Sequence, residues 1–334
     1  MPPSFEDIDS KVEKAQGDKA RFLKSKEGLL PHFEFPSGET QEEKHYSKET
    51  LLADIMEERF EGAKEKMQNP ILLENAYQYL RDYATQGSAR KGENIVNAFW
   101  VFQALSSLIT THSLSRLSSK QQNNINSYLE NPILLENAYI DLQDNATRGS
   151  QKEGKNTSGV FWAFRSLFAL ITTHSLSRLS PEQQNNINSY LENPILLENA
   201  YRYVQYCVAL GSQKQGNDTS YAYSAFKTLS SLITTHSLSR LSPEQQNNFN
   251  SYFENPILLE NAYRYIQGSA TQGSEKEGKN TGNAYLTFDL FSSLIIVKDY
   301  LREKGKKIDD ENFAKEALTP TKNIPPRPEM RTNH

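Results

Sequence analysis

Three histidines, His112, His174 and His236, share one setting, Thr-Thr-His-Ser-Leu-Ser-Arg-Leu. Imidazoles repeated in this way suggest a metal centre or a proton relay. They lie 62 residues apart, and packed helices sit about 8–10 Å from one another. Zinc needs its ligands about 2 Å from one ion, so three copies in successive units are not expected to share it. The spacing reads instead as a helix C-terminus, with each histidine meeting the last carbonyls. Cys207 has no partner for a disulfide and no repeated histidine beside it to lower its pKa, so a passive thiol is expected. Glu74, Glu136, Glu198 and Glu260 recur early in a predicted helix, where a carboxylate suits the helix dipole. The Gly-Ser-x-x-x-Gly linkers lack the Gly-Lys-Ser/Thr ending of a phosphate loop and read as connectors. No catalytic, cofactor-binding or metal-binding residue is expected.

The remaining candidate is a stripe that changes from copy to copy. Its first tier is Asn97, Gly159, Tyr221 and Asn283, its second Trp100, Trp162, Ser224 and Leu286, its third Gln103, Arg165, Lys227 and Asp289. Within each copy these residues are three apart, so they share one helix face. A shared interior should not tolerate such changes of charge and size, so the stripe is expected to face solvent, either as a surface that has drifted freely or as a partner-binding face with Trp100 and Trp162 as anchors. The first helix of each copy varies similarly at Gln78/Ile140/Arg202/Arg264 and at Asp82/Asp144/Tyr206/Gly268. By contrast Phe99/Phe161/Tyr223/Tyr285, Phe102/Phe164/Phe226/Phe288 and Ile109/Ile171/Ile233/Ile295 keep their character at helical spacing and read as core. On this reading Phe164→Ala damages the fold and Arg165→Ala does not.

The elements that carry these residues follow from a motif, Asn-Pro-Ile-Leu-Leu-Glu-Asn-Ala-Tyr, that begins at Asn69, Asn131, Asn193 and Asn255. A fixed period marks a repeat array. Asn followed by Pro is a cap and a first helical residue, which opens the first helix of each unit. Asn94, Asn156, Asp218 and Asn280 are expected to cap the second. Ser180-Pro181-Glu182-Gln183 and its counterparts form a capping box that starts the third. The pattern predicts helices near 70–86, 95–112 and 118–130.

The reading is therefore all-α: an elongated α-solenoid of four 62-residue three-helix repeats with a divergent capping helix at each end. Residues 1–46 are a polar, flexible arm and 47–68 an N-terminal capping helix. The array occupies 69–304, as 69–130, 131–192, 193–254 and 255–304. Residues 305–334 hold a short helix, opened by Asp309 or Asp310, and a proline-rich flexible tail. Because units of a solenoid contact mainly their neighbours, deletion of residues 131–192 is expected to leave a folded, shorter array.

The net charge of −4 and the absence of a basic stripe argue against nucleic acid. No apolar run reaches the ~20 residues of a membrane helix, and the N-terminus shows no standard secretory signal. The expected function is a non-enzymatic scaffold, monomeric and cytoplasmic, that binds a protein or peptide along one face of the array. The alternative is an exported bacterial effector that occupies a host protein and reaches the host cell without a standard signal peptide.

Overall fold

The computed structural model describes residues 47–154, 157–213 and 219–318, and among them there is no strand. The expected arm at 1–46, the tail at 319–334 and the caps at Asn156 and Asp218 lie outside the described residues. We number the α-helices α1 (Lys48–Met67), α2 (Pro70–Gly87), α3 (Ile95–Thr110) and α4 (Ser119–Glu130). The second unit holds α5 (Pro132–Gly149), α6 (Thr157–Thr172) and α7 (Pro181–Glu192). The third holds α8 (Pro194–Gly211), α9 (Thr219–Thr234) and α10 (Pro243–Phe253). The fourth holds α11 (Pro256–Gly273) and α12 (Thr281–Leu318).

Local chemistry sets most boundaries. The side chains of Asn69, Asn131, Asn193 and Asn255 each accept from the second and third N–H groups of the helix they precede, satisfying donors that have no partner inside the helix. Ser118, Ser180 and Ser242 close reciprocal capping boxes with Gln121, Gln183 and Gln245. Asn94 and Asn280 depart from expectation. They sit in the left-handed region (φ 53° and 54°), Asn94 makes no side-chain cap, and their amides donate instead to Gln86 O and Gln272 O. The histidines depart too. His112, His174 and His236 have φ of 54–55°. The backbone N–H of His112 bonds Ile109 O and that of Ser113 bonds Leu108 O, which is the glycine-type C-terminal stop made by a histidine. The backbone of the histidine, not its imidazole, terminates the helix.

The units do not extend into an open stack. Helix α3 packs on α6, α6 on α9, α9 on α12, and α12 on α3. The first helices close likewise, α2 on α5, α5 on α8, α8 on α11, and α11 on α2. The lock between units is the second asparagine of the repeated motif. Asn137 is fully buried; its amide donates to Gly87 O, Arg90 O and Glu93 O at 2.9, 2.9 and 3.1 Å, and its Oδ1 accepts from Gly92 N at 2.7 Å. Gly92 has φ +78°, which only glycine adopts freely. Asn75, in the first unit, makes the same four bonds with the last: Gly273 O, Lys276 O, Lys279 O and Gly278 N at 2.7, 3.0, 3.1 and 2.7 Å. The chain is a ring, with α3, α6, α9 and α12 inside.

Closure changes the meaning of α1. It is not an end cap but the third helix of the fourth unit, supplied from the other end of the chain. Asn124, Asn186 and Asn248 each donate to the tyrosine of the preceding first helix, Tyr77, Tyr139 and Tyr201. In α1 the corresponding residue is Gly62, and a Cβ there would lie 3.1 Å from Tyr263 Oη. Phe60 meets Tyr263 edge-on at 5.8 Å, as Phe249 meets Tyr201 at 5.5 Å. Arg116 caps α1 through Met67 O and Gln68 O, as Arg240 bonds Leu191 O at the end of α7. The expected break after residue 304 is also absent. Helix α12 runs unbroken to Leu318 and lies along α1, with Arg302 bridging Asp54 and Glu57 at 3.1 and 2.6 Å.

Candidate functional site

Ring closure brings the third tier of the stripe together where the four inner helices meet and sets Trp100 against Trp162, whereas the first tier packs on the first helix of its own unit. The third tier, expected to be solvated, is buried: Gln103, Lys227 and Asp289 are 0% exposed and Arg165 is 1%. Arg165 Nη2 lies 2.8 Å from Asp289 Oδ2, and Lys227 Nζ lies 2.6 Å from Asp289 Oδ1. Tyr223 and Ser107 donate to the same carboxylate at 2.6 and 3.0 Å, and Arg165 donates to Tyr285 Oη at 2.8 Å. The Gln103 amide donates to the backbone carbonyl of Arg165 and accepts from its guanidinium at 3.3 Å. The variation now has a cause. Four identical charges cannot meet on one axis, whereas Gln, Arg, Lys and Asp can pair there.

Burial would push the Asp289 carboxyl up, but Lys227 and Arg165 outweigh it and hold it below its usual range. Burial lowers the Lys227 ammonium to about 8; Asp289 opposes that shift and Arg165 adds to it. The ammonium is off-line for a hydrogen bond to the carboxylate and rests 4.2 Å from the Phe168 ring centroid. This centre is closed to solvent and ties together residues of all four inner helices.

The upper tiers are more open. Gly159 is buried, whereas Asn97, Tyr221, Asn283, Trp100, Trp162, Ser224 and Leu286 are half-buried. Asn97 and Asn283 donate to Gln86 and Gln272 at the outer helix ends. Trp100 and Trp162 meet edge-on at 5.5 Å, and both rings lie within 5.3 Å of the Arg165 guanidinium carbon. Both tryptophans, expected as exposed anchors, are therefore half-buried packing residues of the ring.

One position outside the stripe breaks the repeat. In three units a first-helix tyrosine lies against the inner aromatic of the preceding unit. Tyr79 stacks on Tyr285 at 4.6 Å, Tyr265 on Tyr223 at 5.0 Å, and Tyr203 tilts onto Phe161 at 5.0 Å. The fourth position of this series is Asp141, opposite Phe99. No ring from α5 covers Phe99, and a cavity of about 290 Å³ takes its place, lined by Val96, Phe99, Trp100, Asp141, Arg148 and Trp162 among others. Asp141 is 5% exposed. Its Oδ2 accepts from Asn145 Nδ2 at 3.0 Å and Ser166 Oγ at 3.3 Å, while no donor among the described residues reaches Oδ1, which opens into the cavity. Burial raises its pKa to about 6 against the opposing bonds from Ser166 and Asn145. Arg148 stands at the rim and donates to Asn145 Oδ1 at 2.9 Å. The series Tyr79/Asp141/Tyr203/Tyr265 was open to reading at the 62-residue period; a single carboxylate among tyrosines was the signal.

The other candidates recede. Cys207 is fully buried, and burial pushes its thiol up to about 12. Glu74, Glu136 and Glu198 accept from the capping-box glutamines at 2.7–3.0 Å, a structural role. Among the described residues no group of His, Cys, Asp and Glu side chains has the arrangement of a metal site, and no helix is long and apolar enough to cross a membrane. Comparison with protein-family models, curated protein sequences and solved structures finds no match to this chain.

Proposed function

We propose that this chain is a non-enzymatic binding module built as a closed ring of four three-helix repeats, and that a protein or peptide partner seats at the Asp141 cavity. This replaces a seat along the whole stripe, whose third tier is buried inside the ring. The observation that carries the reading is the unfilled slot opposite Phe99, where Oδ1 of the largely buried Asp141 faces open space. An accepting carboxylate oxygen beside unfilled space can take a donor from a partner, and a charge-assisted bond of that kind is stronger than a neutral one. Only one of the four units carries the slot, which fixes a partner in a single register.

The test is retention of a partner by the full chain and by Asp141→Tyr, the residue that fills this slot in the other units. A stoichiometric partner held by the wild type and lost by the variant, with melting not lowered, supports the reading. Equal retention by both places the seat elsewhere, and no retained partner at all overturns the reading.

A further inference from the structure

We infer that the group entering the Asp141 cavity is an arginine side chain of the partner. This rests on the binding-module reading and names what the site recognises. Three observations select the guanidinium. First, the shape of the occupant is set by the three intact slots, which hold flat rings at 4.6–5.0 Å from their neighbours. A planar group belongs in the fourth. Second, the floor is a carboxylate, 5% exposed, with Oδ1 free of donors. A desolvated carboxylate gains most from a cation that also donates hydrogen bonds.

Third, the walls are Phe99, Trp100 and Trp162. The molecule already holds one guanidinium among these rings: Arg165 lies 5.2–5.6 Å from Phe99, Trp100 and Trp162 and 2.8 Å from a carboxylate. The cavity offers the same chemistry, a carboxylate beside Phe99, Trp100 and Trp162, with exposed Val96 and Arg148 at its edge. Arginine fits it better than lysine because the guanidinium is planar, more weakly hydrated and able to stack on the aromatic walls while it donates to Oδ1. Arg148 is exposed at the rim, engaged with Asn145 and the Asp144 carbonyl rather than with Asp141. It opposes a second cation, so its removal should favour the ligand. Val96, 51% exposed beside the opening, offers an apolar rest for the residue next to the arginine.

The chain has two tryptophans, and both line the cavity, so tryptophan fluorescence, excited at the red edge where tyrosine does not absorb, reports on this site. The full-length chain is titrated at pH 7.5 with acetyl-Gly-Arg-Gly-amide and with its lysine and citrulline counterparts. Citrulline keeps the shape of arginine and lacks the charge. A saturable fluorescence change is expected with the arginine peptide, in the millimolar range of a single side chain, roughly tenfold tighter than with either counterpart. Asp141→Asn and Asp141→Tyr should abolish it without lowering the melting temperature, and Arg148→Ala should tighten it. Citrulline binding equally well overturns the role of charge, and lysine binding equally well overturns the role of the plane. A signal that survives Asp141→Asn overturns the site. If the arginine peptide fails while the wild type still holds a partner that Asp141→Tyr loses, the arginine inference falls and the binding module stands.

Discussion

Replacing Asp289 by Asn leaves two cations buried at the ring axis with no carboxylate between them. Asp289 is fully buried and sits 2.8 Å from Arg165 and 2.6 Å from Lys227. Breaking a buried ion pair from one side costs about 3–5 kcal/mol, because the abandoned charge has no water to return to. Replacing Lys227 by Met has the opposite sign. The three charges sum to one excess positive, and burial has already lowered Lys227 from 10.5 to about 8. Keeping it charged therefore costs the folded state about 3 kcal/mol. Met removes that cost and leaves the Arg165–Asp289 pair intact, so Lys227→Met should be neutral or stabilising at pH 7. The pH dependence follows. Between about 8 and 10.5 the unfolded chain binds a proton at Lys227 that the folded chain has released. Wild-type stability should rise through that window relative to Lys227→Met, whose curve lacks the contribution. Urea denaturation of the wild type and both variants at pH 7, 9 and 10.5 reads all of this. Equal losses for Asp289→Asn and Lys227→Met, or parallel pH curves for the wild type and Lys227→Met, would refute the reasoning.

Asp141→Asn should be more stable than the wild type at pH 7 by up to about 3 kcal/mol and equal to it near pH 4. The folded pKa of Asp141 is raised to about 6 from 3.8, so the wild type loses stability as pH rises through that window; denaturation across pH 4–7 checks it. Deleting residues 131–192 should abolish cooperative folding, because it removes Arg165 and leaves three units to close a ring built for four. Near-UV circular dichroism of the deletion should lack the wild-type signal, and a native-like spectrum would count against the ring. Phe164, 0% exposed, should cost about 3–5 kcal/mol when cut to Ala. Arg165→Ala should cost a comparable amount in the same urea assay, since it strands Asp289 beside a single lysine.

The helices and their starts were legible in the sequence because their causes are local. An Asn-Pro pair or a Ser-x-x-Gln box acts on the backbone within one turn, and the observed helices begin where those signals stand. The ends were less legible, because His112 in a left-handed conformation does what a glycine usually signals. Closure was not legible from the variable positions by themselves. A stripe that changes from Gln to Arg, Lys and Asp looks like a wet surface in one helix; only the contact between units turns it into a complementary centre. Two clues were nevertheless in the chain. The N-terminal helix aligned with the third-helix slot, and the fourth unit lacked a third helix of its own, so the one could complete the other. The candidate cavity was hidden for a different reason. It is made by an absence, the tyrosine that Asp141 does not provide, and the significance of that absence depends on Phe99 lying opposite in another unit.

The closed ring is tested most directly by comparing Asn75→Ala with Asn137→Ala in equilibrium urea denaturation. Asn137 joins the first unit to the second in an open or a closed array alike. Asn75 has a neighbour to bond only if the fourth unit returns to the first. In the ring both are fully buried, and each makes four hydrogen bonds to a glycine-containing loop. Losing such a clamp should cost about 2–4 kcal/mol, and nearly the same amount at both positions. A loss at Asn137 with a change at Asn75 within about 0.5 kcal/mol, the level of a solvated surface residue, would contradict closure and with it the meeting of the four inner helices.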